Sequence, residues 1–190
     1  AQEAFLVVEQ LVQEEKDDVL HYIKNMDTFF AYTRVIYWRV TVLELSKLFL
    51  GREKFSLHKI LNKLDISGEY RSLKFDAKRI HTWKTELEAL RPLINNLQNQ
   101  RDNIYAHEDD PEDAIRNEAS LHDVKELLKI ATAIIREVDV FLLKPFRSFN
   151  MLNSPARNLH YVIQEIFQKR MMDAAILKQH GKDHGIEDGL

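Results

Sequence analysis

With 190 residues, 45% of them hydrophobic and 30% charged, the chain is long enough to bury one core and too apolar to stay disordered. It has no cysteine, no run of 18 apolar residues and no signal-peptide pattern at its start, which excludes disulfides, thiolate metal sites and cysteine nucleophiles. A cytoplasmic protein that neither spans a membrane nor is secreted is therefore expected, and its formal charge of −3 is spread unevenly. Residues 1–27 carry seven acids against two bases, residues 52–91 ten bases against six acids, and residues 108–139 ten acids against four bases. Such segments make either solvated helix faces or a basic surface beside an acidic one.

Five glycines and four prolines leave long periodic segments, and strand signals are absent. Residues 2–25 place Phe5, Val8, Val12, Val19 and Ile23 at helical spacing, with Met26 just beyond. A second helix is predicted after Asp27 as N-cap, with Ala31, Val35, Trp38, Val42, Leu45 and Phe49 as its stripe and Gly51 as its stop. Ser56 is placed to cap a short helix ending near Asp65, followed by a break at Ile66-Ser67-Gly68. From Glu69 to Leu90 the spacing of Leu73, Ile80, Trp83, Leu87 and Leu90 predicts another helix. Pro92, lacking an N–H, either kinks it or opens the next helix, which ends near His107. The acidic run 108–113 is expected as a loop. Ser120 with Asp123 resembles a capping box ahead of the stripe Leu121, Val124, Leu128, Ala131, Ile135, Val138 and Leu142, which Lys144-Pro145 ends. Ser154-Pro155 then opens a last helix to about Gln179, and the tail from His180 is expected to fray. The pattern predicts an all-α, antiparallel helical bundle.

Several chemistries are missing from the sequence: a glycine-rich phosphate loop, an H-E-x-x-H helix, a G-x-S-x-G elbow and the Glu-x-x-His pairs of a di-iron bundle. His180 and His184 have helical ligand spacing but sit beside Gly181 and Gly185, so no native metal site is expected there, and no cofactor. The segment Arg101-Asp102-Asn103-Ile104-Tyr105-Ala106-His107 remains. At about 100° per residue, Arg101 falls within the apolar face of Leu90, Leu93, Ile94, Leu97 and Ile104, with His107 on its border. A guanidinium on a packing face is costly unless it is paired or meets an anion. An arginine and a histidine on one crevice suit metal-independent RNA cleavage. In that reaction His107 takes the proton of a ribose 2′-hydroxyl or gives one to the leaving 5′-oxygen. Arg101 holds the phosphate, Asp102 orients either group, and Tyr105 stacks on a base or hydrogen-bonds a phosphate. The structural alternative is an Arg101 paired with a core carboxylate and a His107 favoured by the helix dipole.

At these residues the chain resembles the HEPN superfamily, whose signature is an arginine followed four to six residues later by a histidine, often with a polar residue beside the arginine. Here five residues intervene and Asp102 takes the polar position. The string RDNIYAHEDD is similar to the R-D-x-x-x-A-H run, followed by acids, of abortive-infection proteins of the AbiU type. Trp38 through Phe49, then Ser56-Leu57, resemble that branch's second and third helices. The likeness covers residues 1–150, leaving 151–190 as a C-terminal helix and flexible tail packed on or extending the same domain. It implies a HEPN-like four-helix core with extra helices that forms a homodimer. Arg101 and His107 would be the catalytic pair of a ribonuclease acting on RNA without a metal. The setting it implies is phage defence or a toxin–antitoxin system, with a neutralising antitoxin protein as a further partner. The alternative within the superfamily is a non-catalytic protein-interaction module.

Overall fold

The computed structural model describes residues 1–12, 28–51, 53–54, 56–106, 119–143 and 154–183. Seven α-helices account for most of them: α1 (Gln2–Val12), α2 (Thr28–Phe49), α3 (Leu57–Leu64), α4 (Ala77–Ala89), α5 (Arg91–Ala106), α6 (Leu121–Leu143) and α7 (Pro155–Asp183). The only other regular element among the described residues is a 3₁₀ turn at Arg71–Leu73, and no strand occurs among them. The protein is an all-α helical bundle.

Its main core joins Phe5 of α1, Val42, Leu45 and Phe49 of α2, Leu57 and Leu61 of α3, Ile80, Trp83 and Leu87 of α4, Leu97 of α5, and Val124, Leu127, Ala131 and Ile134 of α6. The buried leucine, isoleucine and aromatic side chains among them each contribute about 2–5 kcal/mol against truncation to alanine. A smaller cluster of Val7, Leu11, Phe30 and Ile163 ties α7 to α1 and the start of α2. Phe5 lies with Val42 in one cluster and Leu11 with Phe30 in the other, so α1 and α2 run in opposite directions. Hydrogen bonds from Ser154 to Glu3 and between Gln10 and His160 make α7 run the same way as α1. That pair departs from a strictly antiparallel arrangement.

Local chemistry explains most helix ends. Ser56 Oγ accepts from Lys59 N at 3.4 Å, capping α3. After α3 the chain turns sharply, with Tyr70 N donating to Lys63 O at 2.7 Å. Gly68 is required there, because a Cβ would lie 2.2 Å from Asn62 O and 2.4 Å from Lys63 O. Pro92 falls in the first turn of α5, where its missing N–H costs nothing, and Leu90 caps α4 by donating to Glu86 O. Ser120 and Asp123 form a reciprocal capping box: Ser120 N donates to Asp123 Oδ2 at 3.0 Å and Asp123 N to Ser120 Oγ at 3.1 Å.

The structure corrects four expectations. The helix predicted from Glu69 starts only at Ala77, with Asp76 Oδ1 accepting from Lys78 N at 2.8 Å as the cap. Before it, Lys74 adopts a left-handed φ of 54°, and this turn lets Phe75 insert between Trp83 and Phe141, with ring centroids 5.6 and 4.6 Å away. Leu73 is left exposed. On α6 the buried stripe is Val124, Leu127, Ala131, Ile134 and Val138, so Leu128 and Ile135 flank it and Leu142 is exposed. On α2 Ala31 and Val35 are exposed, whereas Phe30, Thr41 and Ser46 are buried. Finally, α7 continues through His180 and Gly181 to Asp183. Residues 13–25 of the first predicted helix, His107, the run 108–113, Lys144-Pro145 and His184 lie outside the described residues.

Candidate functional site

The α5 helix carries the candidate residues because its inner face packs through Leu93, Ile94 and Leu97 onto the core. One turn after Leu97, the inner face becomes polar. Gln100 is buried, and the Arg101 side chain is only 12% exposed. Arg101 Nε and Nη2 both donate to Asp102 Oδ1, at 3.0 and 2.7 Å, and Nη1 lies 4.0 Å from Glu53 Oε1. Arg101 therefore sits on the packing face, as its angular position predicts, and its charge is bracketed by two carboxylates. Asp102, half exposed, holds the guanidinium in place rather than pointing away from it. Tyr105 belongs to the last turn of α5.

One turn before Arg101 on α5, Gln98 lines a cleft of about 290 Å³ that sequence reasoning missed. Its lining comes from the end of α2 (Phe49), the following turn (Leu50, Gly51), His58 of α3, Leu87 of α4, and Arg91, Ile94, Asn95 and Gln98 of α5. Comparison of the chain with protein-family models, curated proteins and solved structures finds no match.

Partial burial lowers the His58 pKa below its ordinary 6.5, reinforced by the Arg91 and Lys84 charges and opposed by Glu88, so the imidazole is neutral at pH 7. Arg91 is held by Glu88, with Nε and Nη2 donating at 2.7 and 2.6 Å. A signal for the cleft was present: Arg91, Asn95 and Gln98 recur at intervals of four and three along one helix face. A polar stripe of this kind ordinarily means solvent, so its spacing alone does not mark a site.

Within the basic segment 52–91, four of the described cations are held in ion pairs. Lys63 pairs with Glu69, Arg79 with Glu137, Lys84 with Asp65 and Arg91 with Glu88. Arg79 also lies over the Trp83 ring, 4.9 Å from its centroid. Among the described residues no three His, Asp or Glu side chains converge to hold a metal ion, and no helix is long and apolar enough to cross a membrane.

Proposed function

We propose that the protein is a metal-independent endoribonuclease of the HEPN kind, acting in phage defence or as the toxin of a toxin–antitoxin pair that a cognate protein neutralises. The observation that carries this reading is Arg101: a cation oriented by Asp102, one turn along α5 from the cleft-lining Gln98, on the helix whose sequence continues to His107. In this mechanism the 2′-oxygen of the substrate attacks the adjacent phosphorus as His107 removes or relays its proton. Arg101 neutralises the charge gathering on the non-bridging oxygens, and the P–O5′ bond breaks as the 5′-oxygen takes up a proton from the protonated His107 or from water. The products are a 2′,3′-cyclic phosphate and a 5′-hydroxyl. In an ideal α-helix, residues six apart are separated by about 9 Å along the axis and about 120° around it, and a homodimer in which each arginine meets the other subunit's histidine would bring such a pair to one phosphate.

Purified protein incubated with total RNA in EDTA is expected to release fragments with 2′,3′-cyclic phosphate ends, and His107→Ala to abolish them. Cleavage undiminished in His107→Ala, or strictly dependent on added divalent metal, would overturn the proposal. The pairing of Arg101 with Asp102, close to Glu53, favours a second reading. There the arginine only ties α5 to the turn after α2, and the bundle is a non-catalytic interaction module. Intact RNA after incubation with well-folded protein would select it.

A further inference from the structure

We propose that the cleft one turn from Arg101 is a base-recognition pocket that takes one unstacked purine of a single-stranded RNA, with the adjoining phosphate at Arg101. This rests on the RNA reading above and deepens it. The first argument is size and lining. At about 290 Å³ the cleft falls just below the range of small-ligand pockets, which run from about 300 Å³, and so suits no more than a single planar group. Its floor is apolar, from Leu87, Ile94 and Leu50, and its rim carries His58, Asn95 and Gln98. A planar heterocycle with several hydrogen-bonding edges matches such a combination, since single-stranded RNA is read by apolar contact with base faces and hydrogen bonds to their edges.

The second argument is the type of polar group. Asn and Gln carboxamides offer a donor and an acceptor side by side, which pairs with the N6 and N7 edge of adenine. A neutral His58 donates from one ring nitrogen and accepts at the other. None of the described lining residues is acidic, so the pocket itself does not repel a nucleotide. Arg91, paired with Glu88, adds no net charge to the lining.

The third argument is register. Gln98 and Arg101 are three residues apart on α5, hence about 5 Å along its axis and about 60° around it. On the opposite wall, Gly51 lines the cleft and Glu53, two residues on, faces Arg101. The pocket and the guanidinium are thus neighbours on both walls, at a spacing that one nucleotide can bridge.

The test measures binding apart from cleavage, using 2′-O-methyl tetranucleotides, which lack the attacking hydroxyl. The full-length protein is expected to bind the tetra-adenylate at least tenfold more tightly than the tetra-uridylate or tetra-cytidylate, and to shift the His58 ring resonances on binding. Asn95→Ala, an exposed change, and Asn95→Ala/Gln98→Ala are expected to erase the preference while circular dichroism reports an intact fold. Equal affinity for all tetranucleotides, or a preference that survives in both variants, overturns the pocket even if the protein cleaves RNA. A preference that the variants erase supports the pocket, and if the parent then leaves RNA intact, it is the cleavage reading alone that fails.

Discussion

Arg101 donates two hydrogen bonds to one oxygen of its neighbour Asp102 and faces Glu53 at 4.0 Å. A phosphate approaching it must compete with that second carboxylate. If Arg101 serves an anion, removing the competitor should strengthen binding: Glu53→Gln is expected to lower the Kd for a non-cleavable RNA several-fold in fluorescence anisotropy at fixed salt. A merely structural arginine would give unchanged or weaker RNA affinity. His58 permits a second residue-level prediction. Its folded pKa lies below the ordinary 6.5, so the unfolded chain binds the proton more readily. The stability it contributes is complete above pH 6.5 and is lost as pH falls through the depressed folded value. Denaturant titrations of the parent and of His58→Gln should diverge below pH 6.5 in that sense, the variant losing less stability on acidification. Parallel pH profiles would show that His58 is not held neutral.

Among the elements, the contrast between α4 and α6 is instructive. Both start at a side-chain cap, but the Ser120–Asp123 pair satisfies two backbone donors, while Asp76 satisfies one and is overridden in the sequence by the apolar spacing that begins before it. Ser120→Ala is therefore expected to cost about 0.5–2 kcal/mol in urea melts, the usual worth of a cap. A change of a few tenths would mean that the box forms only as a consequence of packing. The α2 helix shows the opposite limit. Its sequence is apolar nearly all round, so periodicity cannot decide which residues face inward, and Phe29, Tyr32 and Ile36 are exposed while Thr41 and Ser46 are buried. Thr41 and Ser46 tolerate burial because their hydroxyls donate to Tyr37 O and Leu43 O at 2.8 and 2.9 Å.

For the molecule as a whole, the decisive question is whether one chain is complete. The proposed homodimer predicts that Arg101→Ala and His107→Ala chains, inactive separately, recover activity when mixed under conditions of subunit exchange. One site of each mixed dimer regains both groups, so recovery up to about a quarter of the parent activity is expected from statistical pairing. No recovery despite demonstrated exchange, or a monomer at micromolar concentration by light scattering, would rule out shared sites. Large apolar side chains are exposed on α2 and on the outer half of α7, where Met171, Met172, Ile176 and Leu177 are all more than half exposed.

By itself the sequence determined the all-α class, the short-range caps at Ser56 and Ser120, an interruption at Pro92 and the inward position of Arg101. Each of these follows from interactions within one or two helical turns, and local spacing encodes them fully. Only the tertiary structure decided that Phe75 fills the gap between Trp83 and Phe141, which interrupts a helix the local pattern would have continued. It also decided which rows of α2 and α6 are buried, since a helix rotates about its axis to suit its neighbours. The same holds for the cleft: His58, Leu87 and Gln98 are brought together by the packing of three helices, and no spacing along the chain records that encounter.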